Sequence, residues 1–137
     1  MGVALGLIFL LVLVMILRIL LERLLTRRFK QTFDDPDPTV AIRNMFTYTA
    51  AVMTAYGVPR KASPYQREEI LAAGISQECA QAYREVVDIR QEAVYSTHLM
   101  TEDQRERVRR FKDRLVREVW QKSSFAERLM YRFRYFL

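Results

Sequence analysis

Gly2-Val3-Ala4-Leu5-Gly6-Leu7-Ile8-Phe9-Leu10-Leu11-Val12-Leu13-Val14-Met15-Ile16-Leu17 runs for sixteen residues without a charged or strongly polar side chain. Apolar character resumes after Arg18 with Ile19, Leu20 and Leu21. As a helix, Gly2 to Leu21 spans about 30 Å at roughly 1.5 Å per residue, the thickness of a bilayer's hydrocarbon core. Arg18 falls near the end of that span, where its stem can lie along the helix while the guanidinium reaches the headgroups. The expectation is one transmembrane helix followed by a separate domain.

The flanks of this run are asymmetric. Arg18, Arg23, Arg27, Arg28 and Lys30 follow or border it, against the single acid Glu22, a local charge of +4. No charged side chain precedes it. Basic flanks stay on the cytoplasmic side and meet anionic lipid there. These five residues are the candidate membrane-interface set, with the N-terminus outside and the C-terminal region in the cytoplasm. A cleaved signal peptide would need a positive n-region and a small-residue cleavage site. The n-region here is uncharged, and Ile19-Leu20-Leu21-Glu22-Arg23 contains no such site.

The rest of the chain is only weakly basic. The whole carries +6, but outside the juxtamembrane cluster seventeen basic residues face fifteen acids. The basicity is therefore largely membrane-proximal, which argues against a nucleic-acid partner. One cysteine, Cys79, excludes an internal disulfide, and one histidine, His98, leaves too few soft ligands for a His/Cys metal site. Neither a metal nor an organic cofactor is expected. Leu10, Leu13, Leu17, Leu20 and Leu24 share one helical face, and Gly2 and Gly6 form a small-xxx-small pair. Self-association through the membrane helix is compatible with both, although a leucine-rich span contains such patterns by chance.

Beyond the span, residues 1–30 read as the membrane helix with its basic extension, which continues as helix through Arg28. Residues 31–38 read as an acidic linker around Asp34-Asp35-Pro36-Asp37-Pro38. Residues 39–137 read as a helical domain. Asp37 and Pro38 signal a helix start, and Ile42, Met45, Phe46, Thr49, Val52, Met53 and Tyr56 recur at helical spacing after it. Gly57 and Pro59 end that helix. Ser63-Pro64-Tyr65-Gln66 forms a capping box opening a short helix that stops at Gly74. Ser76 caps a longer one, with Ala80, Tyr83, Val86, Val87, Ala93 and Val94 toward one face. Thr101-Glu102-Asp103-Gln104 opens a helix to about Gln121 with the stripe Val108, Phe111, Leu115 and Val119. Ser124-Phe125-Ala126-Glu127 opens the last. No stretch alternates with period two, so the fold class is all-α, one N-terminal span and a small bundle of about five helices.

No catalytic constellation is visible, and GxxxxGK[ST], GxGxxG and HExxH are all absent. His98 stands at a helix end, where it complements the dipole. Cys79 stands in a first helical turn, which favours a thiolate, but a buried structural cysteine is the more common role.

Two surfaces are distinctive. Between Arg105 and Arg117 seven basic residues face two acids, and Arg107, Arg110, Arg114 and Arg117 fall opposite the apolar stripe. That row suits a partner protein or lipid phosphates, unless Glu106, Asp113 and Glu118 neutralise it through helix-turn pairs. The final helix has a wide apolar face of Phe125, Leu129, Met130, Phe133, Phe136 and Leu137, with Tyr131, Arg132, Arg134 and Tyr135 on the rest. Packing into the bundle is the first expectation for it, and lying on a membrane surface the second.

Tyr56-Gly57-Val58-Pro59-Arg60-Lys61, Ser63-Pro64-Tyr65-Gln66 and Ala93-Val94-Tyr95-Ser96 resemble motifs of an uncharacterised bacterial family. This is the helical cytosolic domain that closes membrane-bound transglutaminase-like proteins and also occurs alone behind a single span. The resemblance covers roughly residues 40–137. Ser63 replaces Thr, Gln66 replaces Glu, and Val94 replaces an arginine whose role therefore does not carry over. The resemblance implies a bacterial plasma-membrane protein without catalytic residues in this domain. Its implied partners are a transglutaminase-like membrane protein or a MoxR-type ATPase system. The expected function is a non-enzymatic, membrane-anchored interaction module. The alternative is a lipid-surface domain using the juxtamembrane arginines and the final helix.

Overall fold

Local capping chemistry sets where helices α2 to α5 of the bundle begin. A computed structural model describes residues 1–134, with side chains through residue 132. Helix α1 (Gly2–Gln31) has no buried residue and is long and apolar enough to cross a membrane. It runs three residues beyond Arg28 and passes into a 3-10 turn, Thr32–Asp34, where the Thr32 hydroxyl donates to the Phe29 carbonyl at 2.5 Å.

Helix α2 (Pro38–Tyr56) starts as read, with the Asp37 carboxylate accepting from the Thr39 amide at 2.8 Å and Pro38 in the first turn. It ends on Gly57 at φ +112°, a left-handed conformation that glycine adopts without a Cβ penalty. Helix α3 (Pro64–Gly74) opens with the Ser63/Gln66 capping box, α4 (Gln77–Tyr95) with the Ser76 cap, and α5 (Glu102–Lys122) with the Thr101/Gln104 box. Each cap satisfies amide donors that a helix start leaves orphaned. Among the described residues the fold contains helices and no strand.

The bundle is centred on α2 and α5, which pack most extensively; α3 lies on α4, and α4 closes against both α5 and α2. Ile42, Met45 and Val52 meet Val108, Phe111, Leu115 and Val119 in the core, with Tyr83 and Val86 from α4 and Leu71 from α3. The Tyr83 and Phe111 rings are tilted at 5.7 Å. On α4, Ile89 is buried and Val94 is exposed, the reverse of the Val94 expectation. Val94 follows buried Ala93 by one residue, about 100° around the helix, and so leaves the core face.

Residues 31–38 are not a solvated linker. Phe33 is buried against Phe29 and Tyr48, with both pairs of ring centroids 5.5 Å apart. Arg105 donates to the Asp35 carbonyl at 2.7 Å, and Arg109 binds both the Phe33 carbonyl and the Asp34 carboxylate. The foot of α1 is thus held onto α5.

Helix α6 (Phe125–Arg134) also departs from expectation. Tyr131 is the docked residue, 3% exposed, whereas Phe125 and Leu129 are 83% and 47% exposed and Met130 is exposed as well. Tyr131 lies about 160° from Leu129 around the helix, so burying one turns the other out. Arg128 fixes this orientation: it donates to the Trp120 and Gln121 carbonyls and its guanidinium lies 5.7 Å from the Trp120 ring. The expected roles of the Phe133 side chain, Tyr135, Phe136 and Leu137 fall outside the described residues.

Candidate functional site

The arginine row of α5 is split between two clefts. At about 100° per residue, Arg107, Arg110 and Arg114 fall within roughly 60° of one another. Arg117 falls about 20° from Arg110 in projection but lies about 10 Å further along the helix axis. The first three line a groove of about 600 Å³ between α4 and α5, and Arg117 lines a separate cleft at the foot of α1.

The α4/α5 groove has walls of opposite charge. Glu78 and Glu85 stand on α4, Arg107, Arg110 and Arg114 on α5, and Ala82, Val86 and Phe111 lie between them. Arg114 crosses to Glu78 at 3.0 Å and also meets Glu118 at 3.6 Å. Arg110 pairs with Glu106 at 3.6 Å and Arg107 with Asp103 at 3.2 Å. The expected neutralisation through Glu106 and Glu118 therefore occurs, but Asp113 goes elsewhere, to Lys112 at 2.9 Å. These exposed pairs exchange easily for those of a ligand, because each contributes only about 0–1 kcal/mol.

The second cleft, of about 680 Å³, lies where α1, the 3-10 turn, α2 and α5 converge. Lys30 does not join the exposed arginines of α1. Its ammonium sits 5.2 Å from the Tyr48 ring centroid, and that of Lys112 sits 5.1 Å from the Phe33 centroid. Burial, and then the charge of Lys112, hold the Lys30 pKa below the usual lysine value. Burial pushes the Tyr48 hydroxyl up to about 12, helped by Asp113. Of the other residues expected at a membrane interface, Arg18 pairs with Glu22 at 3.1 Å, and Arg23, Arg27 and Arg28 are exposed along α1.

Sequence reasoning did not single out Phe33, Tyr48, Arg109, Lys112 or Trp120 for this cleft. Arg109 and Lys112 were within the basic stretch, and their three-residue spacing along one flank of α5 was the available signal. Their partners, Phe33 and Asp34 of the 3-10 turn, are distant in sequence.

The two nucleophile candidates have structural surroundings. Cys79 is buried, and burial with help from Glu118 pushes its thiol up to about 11, against a smaller opposing effect of Arg114. His98 Nε2 meets the Glu92 carboxylate at 2.5 Å and Nδ1 meets the Ser96 hydroxyl. Gln104 of the α5 cap donates to the same Glu92 at 2.8 Å, so this cluster ties α4 to α5. Among the described residues no group of three or more His, Cys, Asp or Glu side chains converges as a metal site. No family model matches the chain, and neither a curated protein nor a solved structure matches it.

Proposed function

We propose that this protein is a non-enzymatic, single-pass membrane-anchored module whose helical domain recruits a protein partner through the α4/α5 groove. The observation that carries this reading is the pairing of an acidic wall, Glu78 and Glu85, with a basic wall, Arg107, Arg110 and Arg114, over an apolar floor. Such a groove suits a polypeptide segment bearing both charge signs around an apolar anchor. Phosphate backbones fit it poorly, because the acidic wall repels them. Helix α1 would hold the domain at the cytoplasmic face of a bacterial plasma membrane, the side favoured by its basic flank. The motif resemblance at residues 56–66 suggests a transglutaminase-like membrane protein or a MoxR-type ATPase as the partner.

A photo-crosslinking residue at Gln81, in the groove, tests this in native membranes, with Lys61 on the α2–α3 connection as control. One discrete adduct is expected from Gln81, absent from Lys61 and abolished by Arg107→Glu with Arg110→Glu. Adducts of equal mass and yield from both positions would contradict it.

A second reading has its own observation. Phe125, Leu129 and Met130 form an exposed apolar face on α6, as a helix lying on lipid would require. Together with Arg23, Arg27 and Arg28 it describes a lipid-surface domain. Serine at Phe125 and Leu129 should then weaken binding of the full chain's domain to anionic membrane in protease-protection assays.

A further inference from the structure

Helix α6 carries on its outward face the pattern that the α4/α5 groove is shaped to receive. Phe125, Leu129 and Met130 are 83%, 47% and 45% exposed. At about 100° per residue, they and Ala126 fill one arc of roughly 140°. Among the described side chains, Arg132 borders that arc about 20° beyond Phe125, and Glu127 borders it about 60° beyond Met130. One edge of the apolar face is therefore basic and the other acidic. Both border residues are exposed, and Arg132 has no ion pair among the described residues.

The groove presents the complementary order: an acidic wall on α4, an apolar floor and a basic wall on α5. On the acidic wall, Glu85 has no ion pair among the described residues. On the basic wall, the Arg107 and Arg110 side chains are 61% and 77% exposed, so their pairs within α5 are screened and easily shared. From Glu78 to Glu85 the groove runs about 10 Å, and the ten residues of α6 run about 15 Å, enough to span it. Helix α6 does not fill its own groove. Tyr131 donates to the Ala55 carbonyl at 3.4 Å and Arg128 to the Trp120 carbonyl at 2.9 Å, which docks the other face of α6 on α2 and α5. The apolar arc consequently points away from its own bundle.

We infer that the α4/α5 groove binds helix α6 of a second copy of this chain. Phe125 and Leu129 lie on the apolar floor, Arg132 faces the acidic wall and Glu127 faces the arginines. The inference rests on the reading of the groove as a polypeptide-binding site and names an occupant for it. Opposite charges at both rims set the orientation of the bound helix, and Phe125 supplies the aromatic anchor that interfaces favour. The acidic edge of α6 disfavours anionic lipid as the surface that covers it. Because the two surfaces lie on different parts of the chain, the contact between copies is heterologous.

The test uses full-length protein in phosphatidylcholine vesicles. One preparation carries a photo-crosslinker at Gln81 and one affinity tag; the other carries a second tag and no crosslinker. An adduct bearing both tags is expected, with the cross-linked peptide mapping to residues 125–134, and none from a crosslinker at Lys61. Phe125→Ser with Leu129→Ser in the second copy should lower its yield by about 10-fold or more, as should Arg132→Glu alone. These positions are exposed, so the fold is expected to survive the changes. The inference is overturned by the absence of a two-tag adduct, which a face buried in lipid would give. An adduct outside α6, or a yield unmoved by the variants, overturns it equally. If Gln81 then still captures a different protein in native membranes, the groove reading stands without this occupant. Capture in neither setting overturns both.

Discussion

The Arg109 guanidinium and the Asp34 carboxylate meet at 2.7 Å across 75 residues of chain. The same nitrogen donates to the Phe33 carbonyl at 3.2 Å, so one side chain of α5 holds the turn that follows α1 by both its backbone and its acid. With Arg105 on the Asp35 carbonyl, this makes the junction a fixed joint.

Removing that clamp has a modest predicted cost. Asp34 is 74% exposed and the Arg109 side chain 32%, so solvent screens the ion pair and the carbonyl contact carries the larger share. Arg109→Ala is expected to destabilise by about 1 kcal/mol and Asp34→Ala by less than about 0.5 kcal/mol. Denaturant unfolding followed by helical circular dichroism checks both values.

Phe33 carries more of the junction than its acids do. Its ring is buried between Phe29 and Tyr48 beneath the Lys112 ammonium. Phe33→Ala is expected to cost about 3 kcal/mol, in the range for a buried aromatic truncated to alanine. Unfolding curves that superimpose on those of the unaltered chain would show that the turn is not part of the core.

Stability should fall in alkali. Burial raises Cys79 to about 11 and Tyr48 to about 12, so the folded chain keeps both protons where the unfolded chain releases them. Their contribution is complete below pH 9 and is lost as the pH climbs through 11 and 12. Melting temperatures measured from pH 8 upward should therefore decline, and Cys79→Ala should remove the earlier part of the decline.

The single cysteine should be chemically silent. Cys79 is fully buried and its raised pKa keeps it a thiol near neutrality. Alkylation at pH 8 is expected to be at least about 100-fold slower in the folded protein than in denaturant, a lower bound set by the raised pKa. Mass spectrometry of the quenched reaction provides the comparison.

The orientation of α6 is testable by two opposed substitutions. Tyr131→Ala should destabilise by about 3 kcal/mol, because it is the docked residue. Leu129→Ser should stay within about 0.5 kcal/mol, as exposed positions usually do. Equal costs at both sites would restore the orientation in which Leu129 faces the core.

Helix starts were the most legible part of this chain. Each of Asp37, Ser63, Ser76 and Thr101 caps through residues no more than three positions away, so local sequence contains the whole interaction. The α5 stripe was legible for the same reason, since its period is intrinsic to the helix. Residues 31–38 were not, because Arg105 and Arg109 lie about 70 residues beyond their partners and composition alone reads as a linker. The face of α6 misled because Arg128 and Tyr131 fix its rotation through contacts to α5 and α2, outweighing the larger apolar stripe. The arginine row is continuous in projection, yet Arg117 lies about 10 Å beyond Arg110 along α5, beside the cleft at the foot of α1 rather than the α4/α5 groove.

The central claim, that α1 anchors the helical domain at the inner face of a membrane, is tested most directly by a topology reporter fused after Leu137. Expressed in a bacterial host, a fusion whose activity depends on its compartment should report cytoplasmic placement in the membrane fraction. Activity on the outer side of the membrane, or in the soluble fraction, would contradict the account.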